Sequence, residues 1–167
     1  AESPDELALI MGTLSFNCDF NDRQSAQLYI TVDSEDKRFE QLAVNAFNAD
    51  RKRMSVVVRE VGPGGTGKYY VICKGADNVM LPLTTAWEDE HGARARALQS
   101  LDNMARKGLR TLVVARKELS EAEATAFVTV YKAAGNSMTD REKKLGAAAA
   151  ALEKGMELVG ITAIEDR

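Results

Sequence analysis

Histidine and cysteine are nearly missing from this chain, with one histidine and two cysteines in 167 residues. A zinc centre draws on clusters of those residues, so no transition-metal site is expected. His91 sits in the polar stretch Glu88-Asp89-Glu90 and is expected at the surface, and no Ser-His-Asp or Cys-His set can be assembled around it. Cys18 and Cys73 are widely separated in stretches that read as strands, which suits packed free thiols in a reducing compartment. No apolar run approaches the roughly 18 residues a membrane helix needs, and no secretory pattern opens the chain. By itself the chain is expected to be soluble. Basic excess is lacking too: the net charge is −3, which argues against nucleic acid as a general partner. There is no G-x-x-x-x-G-K-[ST], and no G-x-G-x-x-G follows a strand. The glycines of 62–67 lack the lysine-serine pair and are not expected to hold phosphate. Asp5-Glu6 and Glu165-Asp166 lack the burial signature of tuned acids.

What is present is ordinary globular composition, 45% hydrophobic and 28% charged, in a length that fits one domain with a real core. Ser3-Pro4-Asp5-Glu6 reads as a helix start, with Ser3 as cap and Glu6 closing a capping box, and the helix runs on to Leu14. From about Ser15 the period changes to two. Strands are expected at 28–32, 39–47, 54–61 and 69–73, with a polar turn at 33–37 and a glycine loop at 62–67. Helices follow at 77–83 and 91–107, then a strand at 111–115. Two more helices are expected, from Ser120 to Ala134 and from Thr139 to Lys154, each opened by a capping box. A last strand covers 156–164. Short turns between strands favour antiparallel pairing, and strands segregated from helices favour α+β: an antiparallel twisted sheet flanked by helices. The chain begins without a lead-in and stops just after a strand-like run, so it is expected to be a single domain, residues 1–167, excised from something larger.

Binding a nucleotide needs an aromatic face or apolar slot for the base and cations or amides for the phosphates. Phe47 ends one expected strand and Lys74 ends the next but one, so the two could bracket a base on one sheet. Arg110 leaves a helix for a strand, where a guanidinium could grip phosphate. On residue physics alone the plainer readings are favoured. Phe47 is then core, Lys74 a solvated strand end, Arg110 a surface arginine, Arg51-Lys52-Arg53 a solvated basic run, and Glu6 a capping residue.

Five motifs in this order, SPDE at 3–6, FNADRKRMSV at 47–56, KGAD at 74–77, GLRTL at 108–112 and GITAIEDR at 160–167, resemble the nucleotide-binding domain of P-type ATPases. Within that superfamily they are most similar to the type IV pumps, the phospholipid flippases. The resemblance runs end to end. It implies that Phe47 stacks on adenine, Lys74 lies beside base or ribose, Glu6 lines the adenine end, and Arg110 reaches the phosphates. Gly75 and Ala76 let the nucleotide approach the backbone, and Met54 lines the pocket. Ala49 stands where many relatives carry serine, and Ser15 to Arg23 match loosely. The implied cofactors are ATP and Mg²⁺, the metal held mainly by the phosphorylation domain of the parent. The implied partners are the parent's phosphorylation and actuator domains, phospholipid through its membrane domain, and an accessory subunit. The chain would then sit at the cytosolic face of a membrane and bind ATP without hydrolysing it, since the phosphorylated-aspartate motif DKTGT is absent. Alternatives are the equivalent domain of a cation pump and a non-nucleotide interaction module on the same scaffold.

Overall fold

The computed structural model describes residues 3–62, 65–85 and 92–165. Its frame is one seven-stranded sheet in the order β1-β2-β3-β4-β5-β6-β7. The strands are β1 (Cys18–Gln24), β2 (Gln27–Val32), β3 (Glu35–Asn48), β4 (Arg53–Val61), β5 (Tyr69–Gly75), β6 (Arg110–Leu119) and β7 (Glu157–Ile164). Every neighbouring pair is antiparallel. The helices are α1 (Pro4–Leu14), α2 (Asp77–Met80, continued by a 3₁₀ turn Leu81–Leu83), α3 (Ala93–Arg106), α4 (Glu121–Gly135) and α5 (Arg141–Leu152). The α+β expectation holds, and the reason is local. β1 to β5 are joined by turns too short for crossovers, while the long β6–β7 connection carries the α4–α5 pair.

One face of the sheet is closed. Val57 of β4, Val71 and Cys73 of β5, Val113 and Ala115 of β6 and Leu158 of β7 pack with Met80, Ala124, Phe127, Leu152 and Met156 in a single core. Their period of two puts the intervening residues on the other face. Cys73 is fully buried with its Sγ 3.5 Å from Met80 Sδ. Burial first, and then the nearby Glu153 carboxylate, push its thiol up to about 12. It is packing, as expected, and Cys18 is also a free thiol. Helix α1 lies apart from this core, buries none of its residues fully, and meets both edge strands, β1 and β7.

Local signals account for most boundaries. Ser3 caps α1 by accepting the Glu6 amide at 3.2 Å. Ser120 and Glu123 form the full capping box of α4. Three expectations need correction. The turn expected at 33–37 is two residues, Asp33 and Ser34, both at positive φ, the geometry that matches strand twist in a tight hairpin. β3 therefore starts earlier, at Glu35. Thr139 is not the cap of α5: that place falls to Asp140, at φ 53, with no side-chain cap bond. The same helix stops at Leu152, because Glu153 is drawn into the interior.

Candidate functional site

A cleft of about 500 Å³ opens where α1 lies over the ends of β3, β4, β5 and β6. It is lined by Ser3, Asp5, Glu6, Leu9, Phe47, Met54, Lys74, Gly75 and Leu112. That size suits a small-molecule ligand. Met54 and Lys74 are paired across β4 and β5. They point to the α1 side because their neighbours Ser55 and Cys73 are turned into the core.

Phe47 reaches the cleft through a fault in the ladder. Asn45 pairs with Ser55 and Asn48 with Arg53, so β3 spends three steps where β4 spends two. A bulge of this kind re-aims side chains next to it. Phe47 stands 65% exposed, so it is not the core residue that its strand position alone suggested. An open aromatic face on the rim of an otherwise half-buried slot is what a planar base requires.

The charged groups of the cleft are held in pairs. Lys74 Nζ lies 3.7 Å from Glu6 Oε1, each side chain 30% exposed. Arg110 Nη1 donates to Asp5 Oδ2 at 2.7 Å. Glu6 is therefore more than a capping residue: Ser3 takes its amide while its carboxylate faces Lys74. Among the expected residues, the fold gathers Glu6, Phe47, Met54, Lys74 and Gly75 around one space. Arg110 is outside the lining and tied to it through Asp5. Ala76 is one step further along, at the start of α2, donating its amide to Lys52 O at 3.1 Å.

Gly75 has a reason of its own. A Cβ there would lie 2.5 Å from Arg53 Cβ and 2.7 Å from Lys52 O, closer than any real contact. The close approach that requires glycine is made by the chain's own backbone.

The residues that sequence reasoning missed lie directly behind this wall. Glu153, fully buried, accepts from Arg51 Nη2, from Arg53 Nε at 2.7 Å and from Ser55 Oγ at 2.6 Å. Ser55 Oγ in turn accepts from Asn45 Nδ2 at 2.8 Å. The basic run is thus not simply solvated, since the Arg51 and Arg53 side chains are 17% and 12% exposed. Lys52, at φ 50, turns the chain so that arginines two apart reach the same carboxylate. Burial by itself would raise the Glu153 carboxyl; the bonds from Ser55, Arg51 and Arg53 outweigh it and hold it below its ordinary value. The only sequence signal was a carboxylate at a helix C-terminus, where the dipole disfavours one.

Among the described residues no three His, Cys, Asp or Glu side chains are grouped to hold a metal ion. Nor, among them, is any helix long and apolar enough to cross a membrane. His91 falls outside the described residues, so its surface placement stands as an expectation.

Against known proteins, the profile of the family described as "P-type ATPase, cytoplasmic domain N" matches residues 1–167. Over its full length the chain is 40% identical to the phospholipid-transporting ATPase tat-1 of Caenorhabditis elegans. It is 38% identical to the phospholipid-transporting ATPase C887.12 of Schizosaccharomyces pombe, and 36% to DRS2 of Saccharomyces cerevisiae. It spans only 14%, 13% and 12% of those proteins. Their names agree with the type IV resemblance of the five motifs. A continuous match, an antiparallel sheet with flanking helices, and a cleft assembled from SPDE, FNADRKRMSV and KGAD lead to one placement: this chain belongs to the family of P-type ATPase cytoplasmic N domains.

Proposed function

We propose that the chain binds ATP in the α1 cleft and, within a longer phospholipid-translocating pump, presents it to the phosphorylation domain. The observation that carries this is the exposed Phe47 ring on the rim of a slot that also holds Lys74 and Glu6. Adenine stacks on Phe47 and slides against Met54 and Leu112. Lys74 lies beside base or ribose, where its ammonium meets polar atoms, and Glu6 bounds the adenine end. The phosphates leave the cleft toward Arg110, whose bond to Asp5 is exposed and exchangeable. Ala49, exposed beside Phe47, gives no side-chain hydrogen bond there.

Such an arrangement positions the nucleotide without attacking it. The γ-phosphate is offered outward to an aspartate of another domain, and phosphoryl transfer is then governed by alignment and charge neutralisation. Mg²⁺ would arrive on the phosphates and be completed by the phosphorylation domain; no residue of this chain is assigned to it. The same reading makes the actuator domain, an accessory subunit and lipid entering through membrane helices partners of the whole pump. It puts this domain on the cytosolic side. The relatives' names favour lipid over cation transport.

The test is an NMR titration of the labelled chain with ATP, repeated on Phe47→Ala. Saturable shifts around Phe47, Lys74 and Gly75, weakened by the substitution, are expected. A well-folded chain with no shifts at millimolar ATP would sink this reading in favour of an interaction module.

A further inference from the structure

We infer that Glu153 is a positioning residue for the nucleotide cleft: one buried carboxylate, supplied from the end of α5, fixes the β3 bulge that aims Phe47 and the wall against which Gly75 closes. The inference rests on the ATP reading above.

The geometry is specific. The bulge containing Phe47 is bounded by two cross-strand pairs, Asn45 with Ser55 and Asn48 with Arg53. Glu153 holds both. Its Oε1 takes the Ser55 hydroxyl, which itself holds Asn45, and its Oε2 takes Arg53. The turn that joins β3 to β4 just beyond the second pair is held as well, since Arg51 donates to the same carboxylate. Inside that turn the Asp50 amide reaches Asn48 Oδ1 at 2.7 Å and Lys52 N reaches Asn48 O at 2.7 Å. A bulge breaks the ladder locally and leaves its residues without regular cross-strand partners, so the aim of a side chain in it depends on how firmly its flanks are held. Fixing both flanks fixes that aim.

The second lever is the wall. Arg53 pairs with Gly75, and Lys52 O accepts the Ala76 amide. Arg53 and Lys52 O are also the atoms nearest the missing Gly75 Cβ. Moving Arg53 moves the surface that Lys74 and Gly75 present to a ligand. Glu153 touches nothing in the cleft, because it lies on the core face of β4 while Met54 lies on the other. It acts only through Phe47 and the β5 end.

Glu153 stands at the C-terminal end of α5, where a negative charge opposes the helix dipole and a neutral or basic residue would serve the helix better. A buried ion pair is also weak evidence for stability, since apolar residues of similar volume often do as well. What apolar residues cannot do is hold three donors from three places at once. Such a polar centre has its best-attested use in fixing register.

The experiment is a double-mutant cycle with Glu153→Gln and Phe47→Ala, read by ATP and adenosine titrations and by thermal melting. Glu153→Gln is expected to weaken ATP and adenosine alike, by tenfold or more, because the loss falls on the base. In the Phe47→Ala background the same change is expected to cost threefold or less, since the ring is gone and only the β5 end is left for Glu153 to act through. A lowered melting temperature with affinities within twofold of the original chain overturns the inference and leaves a structural ion pair. So does an equal loss in both backgrounds. If the original chain binds neither ligand, the ATP reading falls and this inference falls with it. If Glu153→Gln does not fold, Arg51→Lys takes its place, because Arg51 is at the more exposed edge and lysine keeps the charge but loses the fork. A threefold loss of adenosine affinity is expected there, and an unchanged affinity overturns the inference.

Discussion

The two faces of the β4–β5 strand ends carry the same kinds of residues in opposite circumstances. On the α1 face, Lys74 with Glu6 and Arg110 with Asp5 are half-exposed pairs around an open cleft. On the core face, one residue away along the strand, Arg51 and Arg53 converge on a carboxylate that no solvent touches. Exposed pairs contribute little and exchange partners readily. A buried one, once formed, cannot lose a member without stranding the others. Sequence neighbours thus divide between a face that can accept a ligand and a face that must stay shut. Substitutions that separate the two test the division.

The largest effect is expected from Glu153→Ala. Two arginines and the Ser55 hydroxyl would be left buried without their acceptor, a loss of roughly 3–5 kcal/mol by urea or thermal unfolding. A change under 1 kcal/mol would mean that water reaches the arginines and that the core face is no more closed than the cleft. The pH dependence follows with a definite sign. The folded Glu153 carboxyl is held below its ordinary value, about 4.3 in the unfolded chain. Its contribution is full above that value and is lost as pH falls through the lower, folded one. Acid titration of stability should be shallower in Glu153→Gln than in the original chain. Parallel acid limbs would refute it.

Gly75→Ala comes next and touches both faces at once. The added methyl would meet Arg53 and Lys52 O, so overpacking of roughly 1–3 kcal/mol is expected, accompanied by weaker ATP binding as β4 and β5 part. Stability lost with affinity intact would show that the wall can move without disturbing the cleft.

Phe47→Ala should show the reverse pattern. The ring is 65% exposed, so unfolding is expected to change by less than about 0.5 kcal/mol. Stacking on a base contributes about 1–3 kcal/mol where measured, so ATP affinity should fall by about 5- to 150-fold. A destabilised variant with unchanged affinity would make Phe47 a packing residue after all.

How much of this was legible beforehand depends on the kind of signal. The sheet was legible because period two and short turns are local, and α4 because its capping box is written in four residues. The start of α5 was misread because Thr139 and Glu142 imitate a capping box that Asp140, in the left-handed region, displaces. The cleft was legible through its motifs: Phe47, Met54, Lys74 and Glu6 stand together as the resemblance implied, though residue physics alone favoured plainer roles. The Glu153 centre was not legible. Its partners are about a hundred residues away, Arg51-Lys52-Arg53 looks like any solvated run, and only the fold brings them to one point.

The smallest effect should come from Glu6→Gln, and it bears most directly on the open face. Glu6 and Lys74 are 3.7 Å apart and each is 30% exposed at the side chain, a pair worth about 0–1 kcal/mol. The unfolding midpoint should scarcely move. The neutral side chain keeps an acceptor at the adenine end but lowers the negative charge of the cleft as a whole, which a triphosphate feels at a distance and adenosine does not. ATP affinity should therefore rise by about twofold at low salt, converge with that of the original chain as ionic strength increases, and leave adenosine affinity unchanged. A loss of adenosine affinity would show that the carboxylate charge itself recognises the base. A stability loss approaching that of Glu153→Ala would erase the contrast, making both faces of the strand ends structural.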